Sequence, residues 1–366
     1  MSAGRIGLIS VAVALSVVNA SAADKPIDGA SPVAKAKGDK QGRPLKIFIL
    51  AGQSNMQGQA KVRTIERLNL TEDSKQMYQD MKVKDGLPSA VENTYGVYFT
   101  GGDKKKGSER PLSVQKGPFQ PGYGGELTES TTLGPDYAFG IYMQKHVQGP
   151  ILIIKTAWGG RDLTQQFRPP SASKYEKDMD GHGNPTGYYY KVMIESVKKV
   201  LADPGAYHPG YNKAAGCEIA GFVWFHGFND LIKGAGVFPD YTHALTCLIN
   251  DVRKDLDTPK MPFVIGVMGI GGPNTDGKQS QFRKAQEAPA SLPEFAGNVA
   301  AVRTEHCWDM EWEKIKAKPE GTRTPNEQKI MQTATSNEGF HYMGSAYTYS
   351  MIGKAFAEAM IKMEKK

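Results

Sequence analysis

The stretch "IFILAGQSNMQG" (residues 47–58) decides how the rest of the chain is read. Ile47-Phe48-Ile49-Leu50-Ala51 run straight into the small polar turn Gly52-Gln53-Ser54-Asn55. A run that apolar is what a strand buried on both faces requires. The serine just beyond it is either the N-cap of a helix or a nucleophile presented at the end of the strand. What the other strands bring to the same edge separates the two.

Residues 45–51 are the first of five such runs; the others are 150–157, 219–226, 262–268 and 298–304. Helical patterns fill the intervals at 135–146, 188–201 and 241–256, and a last one covers 345–363. Alternating strands and helices predict a parallel sheet with right-handed crossovers, hence an α/β fold built as a three-layer α/β/α sandwich. Reactive groups in such sheets gather beyond the carboxyl ends of the strands. Two segments break the alternation. Residues 100–132 are rich in Gly, Lys and Pro, and 165–187 carry "FRPPSASKYEKDMDGHGNPTG". They read as insertions, either shaping a cleft over the carboxyl edge or decorating the surface.

The chain opens with Arg5 ahead of an apolar run, 6–18, followed by Ala20-Ser21-Ala22. The run is too short for a membrane span, and the small-x-small triplet is a signal-peptidase site. Residues 1–22 therefore read as a cleavable signal peptide, and residues 23–42 as a flexible leader to a domain over 43–366. The expected location is secreted or periplasmic, with no membrane span. Of the formal charge of +7, only Arg5 leaves with the signal peptide. Lys104-Lys105-Lys106 and Lys365-Lys366 read as a solvated loop and tail, which gives no footprint for nucleic acid and at most favours an acidic glycan. Cys217, Cys247 and Cys307 have no zinc-ligand spacing; one disulfide with a free thiol, or no disulfide, is expected. Cys247 falls in a helical pattern and reads as a small buried residue. The sequence carries no sign of oligomeric state.

Each polar motif falls at the end of a strand or in the last loop. They are Gly52-Gln53-Ser54-Asn55, then "WGGRDL" (residues 158–163), then "WFHGFND" (224–230) and Asn337-Glu338-Gly339-Phe340-His341. Together they suit acyl transfer. Ser54 is the candidate nucleophile and needs a base within reach. His341 is that base, with Glu338 three residues earlier to orient its ring. The Ser54 and Gly160 backbone N–H groups and the Asn229 amide are the candidate oxyanion donors. Gln53, Trp158 and Arg161 are candidate substrate-binding residues. Gln53 and Asn55 also suit holding the nucleophile loop in shape. Trp158 reads equally as a sugar-stacking ring or as core, and Arg161 as a ligand for a carboxylate or hydroxyl or as an ion-pair partner. His306 is the second candidate base, and His226 reads as a packed histidine beside Trp224. Asp230 reads as a brace for the turn.

This set, Gly52-Gln53-Ser54-Asn55, Gly160, Gly227-x-Asn229-Asp230 and His341, resembles the four blocks of the SGNH (GDSL-type) hydrolase superfamily. More narrowly, "GQSNMQG", "WGGRDL", "WFHGFND" and "TLGPDYAFG" (132–140) resemble the carbohydrate O-acetylesterases grouped with sialate O-acetylesterase. The similarity runs from about residue 43 to the end. It implies a five-stranded flavodoxin-like sheet, no metal or other cofactor, and cleavage of small acyl esters from an acetylated carbohydrate. Two positions depart from the family pattern. Glu338 stands where an Asp usually precedes the histidine, and His226 stands where many relatives have Gln. A catalytically silent sugar-binding relative and a lipid or thioester hydrolase on the same fold are the alternatives.

Overall fold

The computed structural model describes residues 42–275 and 277–365. The expected signal peptide and all but the last residue of the leader lie outside the described residues. The main sheet contains β1 (Leu45–Gly52), β2 (Thr94–Gly101), β3 (Leu112–Pro118), β4 (Ile151–Ala157), β5 (Cys217–Phe225), β6 (Phe263–Val267) and β7 (Val299–Arg303). Their spatial order is β7-β6-β5-β1-β4-β2-β3. Every neighbouring pair is parallel except β2 with β3, which is antiparallel.

All five expected strands are present, and their order β4-β1-β5-β6-β7 is the 2-1-3-4-5 order of flavodoxin-like sheets. The sheet is larger than expected, because β2 and β3 extend it beyond β4 to seven strands. β3 was hidden in the 100–132 segment. Its Leu112 and Val114 are exposed, so no buried face imposed a pattern on it. The rest of that segment includes a small hairpin, Lys104–Lys105 paired with Ser108–Glu109.

Alternation along β1 divides the core. Ile47, Ile49 and Ala51 enter one apolar layer, and Phe48 and Leu50 enter the other. Helices Tyr188–Ala202 and Phe238–Asp255 cover the first layer. Helices Pro135–His146 and Ala346–Glu364 cover the second. Proline opens the third of these helices and Lys145 and His146 close it, as N-terminal geometry and the helix dipole favour. That helix lies so close to the last one that a Cβ on Gly353 would sit 2.0 Å from the Pro135 carbonyl oxygen. Gly353→Val is therefore expected to destabilise the protein by about 1–3 kcal/mol or more. Thermal unfolding checks it, and an unchanged Tm would contradict the contact.

No helix of the described residues is long and apolar enough to cross a membrane. Cys217, Cys247 and Cys307 are all unpaired, and Cys247 is buried in its helix as expected.

Candidate active site

The central strand delivers Ser54. Gly52 pairs with Ala157 of β4 on one side and Phe225 of β5 on the other. The chain therefore leaves three strands side by side, where the strand order reverses. β1 ends so close to β5 that a Cβ on Gly52 would lie 2.1 Å from the Phe225 carbonyl oxygen, which only glycine permits. Ser54 then opens a single helical turn, Ser54–Gln57. Its N-cap is Gln53, and no side chain caps it. The serine is thus the first helical residue and its hydroxyl is not used as a cap. That hydroxyl is half-buried and makes no hydrogen bond within the described residues. The far end of the turn is held by Lys155, whose buried Nζ donates to the Gln57 carbonyl (2.8 Å) and to Asp136 Oδ2 (3.0 Å). This gives the "TLGPDYAFG" segment its place in the site.

The turn after β4 lies against the serine. A Cβ on Gly159 would meet Gln57 Oε1 at 2.6 Å and Ser54 Cβ at 3.5 Å. Gly160, at φ +75°, faces open space, and its N–H has no partner within the described residues. The Ser54 N–H, at the first helical position, is likewise unpaired, as helix N-termini require.

After β5, Gln53 fixes Asn229. The Gly227 N–H donates to Gln53 Oε1 (3.2 Å), which sets the orientation of the Gln53 amide. The Gln53 Nε2 group therefore donates to Asn229 Oδ1 (3.2 Å). That leaves the half-buried Asn229 with both Nδ2 protons unused and available as donors. Asp230 is buried and accepts from the Leu163 N–H (3.0 Å) and the Thr164 N–H (3.1 Å), tying the β5 turn to the β4 turn. Burial and the nearby charge of Asp162 raise its pKa. It is the brace that the sequence suggested.

His226 is buried, stacked on Trp224 at 4.7 Å, and donates from Nε2 to the Arg161 carbonyl (2.8 Å). Burial lowers its pKa to about 4, so it is a neutral packing residue.

His341 lies on a loop whose backbone is heavily constrained. Asn55 Nδ2 donates to the Phe340 carbonyl (3.1 Å), and the Tyr349 hydroxyl donates to Asn55 Oδ1 (2.7 Å) while lying 3.2 Å from the His341 carbonyl. The residue next to Ser54 thus clamps the histidine loop. Tyr342 and Met343 adopt φ of +50° and +58°, conformations that persist only where neighbours enforce them. The Tyr342 hydroxyl accepts from the Gly269 N–H (2.9 Å), and the Ser336 and Asn337 N–H groups both donate to the Met343 carbonyl.

The expected pairing of Glu338 with His341 is not made. His341 Nδ1 donates to Asn337 Oδ1 (3.1 Å), and the same oxygen accepts the Glu338 N–H (2.7 Å), which identifies it as the acceptor. The Glu338 side chain is exposed and makes no hydrogen bond within the described residues. The cause is the backbone. The left-handed residues after His341 fold the loop so that the fourth residue back, rather than the third, faces the ring. The proton is therefore on Nδ1 and the Nε2 lone pair is free. Half-burial lowers the His341 pKa, while the Glu338 charge acts in the opposite sense.

Three other expectations meet different surroundings. Trp158 is 1 % exposed, with Phe167 and Tyr189 packed on it and Nε1 donating to the Gly101 carbonyl (2.8 Å). No face is left for a sugar, so it is core. Arg161 is 3 % exposed, pairs with Asp103 (3.1 Å) and lies over the Tyr189 ring, while its Nε is buried without a partner. It anchors the β2–β3 insertion to the turn. Gln53 is buried and acts on Asn229 and Gly227 rather than on a ligand. His306 is exposed, and among the described residues its one ion-pair partner is Glu305, at 3.7 Å. Asn337 was missed because its neighbour matched the expected spacing.

A solved protein from Arabidopsis thaliana aligns over 87% of this chain and 98% of its own, with 15% identity and a TM-score of 0.49. A structure described as a novel carbohydrate acetylesterase from Xanthomonas citri aligns over 70% of this chain and 49% of its own, with 16% identity and a TM-score of 0.44. A structure described as a peptidoglycan O-acetylesterase aligns over 89% and 93%, with 12% identity and a TM-score of 0.39. No curated protein matches the chain. Residues 44–362 match the family model described as carbohydrate esterase, sialic acid-specific acetylesterase, and the chain belongs to that family.

Proposed function

We propose that this carboxylic ester hydrolase removes O-acetyl groups from carbohydrates through an acyl-enzyme on Ser54. His341 Nε2 takes the Ser54 proton as Oγ attacks the acetyl carbonyl carbon. The carbonyl π electrons move to oxygen, and the resulting oxyanion accepts from the Ser54 and Gly160 N–H groups and from Asn229 Nδ2. The imidazolium then gives its proton to the leaving sugar oxygen as the C–O bond breaks, leaving acetyl-Ser54. Water, deprotonated by His341, attacks the acetyl group, and collapse of the second intermediate releases acetate and restores the serine. The observation that carries this reading is the Asn337–His341 bond, which leaves Nε2 basic on a loop that Asn55 ties to the nucleophile turn. Acetate release from acetylated xylan tests it, and an inert wild type would favour the silent sugar-binding alternative.

Asn229→Ala removes the one side-chain donor and is expected to lower kcat by about 10²–10³-fold, the usual effect of one oxyanion donor. Steady-state kinetics with an unchanged kcat would remove Asn229 from the site.

The orienting group is neutral, and this has a pH consequence. The reaction needs neutral His341, whose pKa burial holds below the ordinary value. The acid limb of kcat/KM should accordingly fall below the ordinary histidine value of about 6.5. Asn337→Asp would place a carboxylate on the Nδ1 proton, stabilise the imidazolium and move the limb to higher pH. Glu338→Gln, by removing a charge that favours the imidazolium, would move it lower. A pH–rate profile in which Asn337→Asp leaves the limb in place would contradict this arrangement.

Export by the signal peptide belongs to the same proposal, on the evidence of Arg5, the apolar run 6–18 and Ala20-Ser21-Ala22. Sequencing the N-terminus of chain recovered outside the cytoplasm tests it, with a start near Ala23 expected.

A further inference from the structure

We propose that Phe340 and Phe228 form a stacking floor for the sugar ring of the substrate, and that the ring is a pyranoside presenting a face of axial C–H groups. The inference rests on the esterase reading and names its substrate class.

Phe340, next to the candidate base, is 41 % exposed, which is unusual in a chain that buries most of its large apolar side chains. Its ring stacks on Phe228 with centroids 5.5 Å apart and planes 27° from parallel, and its edge meets the His341 ring at 4.4 Å. Phe228 stands between Gly227 and Asn229, so the pair spans the gap between the base and the oxyanion donor. Four residues on, Ile232 is 56 % exposed on the same helical face and extends the apolar ledge. The hydrogen bonds that shape the site also fix this floor. Asn55 holds the Phe340 carbonyl, and Gln53 holds the Gly227 N–H. The backbone carrying both rings is therefore tied to the residues on either side of Ser54.

Such a floor selects by shape. A pyranose with equatorial hydroxyls presents a face of axial C–H groups, which packs on an aromatic ring while the hydroxyls stay at the rim in water. An ester oxygen on that rim would lie toward Ser54.

Two measurements test this. In the Ser54→Ala protein, saturation-transfer NMR should detect xylotriose, and adding Phe340→Ala or Phe228→Leu should abolish the signal. In the active enzyme, the ratio of kcat/KM for acetylated xylotriose to kcat/KM for ethyl acetate should fall about tenfold in Phe340→Leu, chiefly through KM. An equal loss on both esters would make Phe340 only a prop for His341 and overturn the proposal. So would an unchanged ratio or a loss confined to longer acyl chains. If wild type hydrolyses neither ester, the esterase reading fails, and the NMR experiment alone still decides the floor.

Discussion

Replacing Ser54 with alanine is expected to lower kcat on acetyl esters by about 10⁴–10⁶-fold, with little change in substrate binding. The size follows from what the residue does. On the proposed mechanism it forms the covalent bond to the acetyl group. The alanine protein should fold normally, because the hydroxyl makes no hydrogen bond within the described residues and caps no helix. The residual rate is the part that oxyanion donors and positioning supply without a nucleophile. A fall of less than about tenfold in steady-state assays would show that another group attacks.

His341→Ala is expected to cost about as much, and the pair Ser54→Ala/His341→Ala little more than either alone, since nucleophile and base act as one unit. Measuring all three kcat values against wild type gives that cycle. If the effects instead add on a logarithmic scale, the two residues contribute independently and the base lies elsewhere. His306, exposed beside Glu305, is then the first residue to test. The histidine variant also asks more of the fold than the serine one. Its loop carries the left-handed Tyr342 and Met343, and circular dichroism should accompany the kinetics.

Much of this arrangement was visible in the residues before the structure. Strands buried on both faces announce themselves by continuous apolar runs, and all five were read from that signal. Three of the four polar blocks followed because each lies where a run ends, and the fourth, Asn337 to His341, lies in the last loop. What stayed hidden depends on geometry that spacing does not carry. β3 has an exposed face and so no hydrophobic period to detect. The Asn337 contact depends on two non-glycine residues in left-handed conformations, which residue types do not announce. Trp158 and Arg161 could be assigned only once their surroundings were known. The partner of Arg161, Asp103, is 58 positions away, on the far side of an insertion. The free Asn229 amide is a comparable case. It was expected as a donor, but the reason it is free is the orientation of Gln53, which the backbone of Gly227 sets.

The departure at Glu338 bears on the chemistry more than on the fold. A charged orienter would favour the imidazolium throughout the pH range, whereas the neutral Asn337 amide fixes the tautomer without that bias. The arrangement resembles the neutral asparagine that orients the histidine in some cysteine proteases. On the proposed mechanism it trades some stabilisation of the imidazolium for a base whose pKa burial holds below the ordinary histidine value.

The central claim is that Ser54 becomes acylated. Its most direct test is intact-mass and peptide mapping of the enzyme after exposure to a fluorophosphonate, alongside acetate release. The account predicts a single adduct on Ser54 that abolishes acetate release and is absent from Ser54→Ala. Undiminished acetate release from fully labelled enzyme, or from Ser54→Ala, would contradict it.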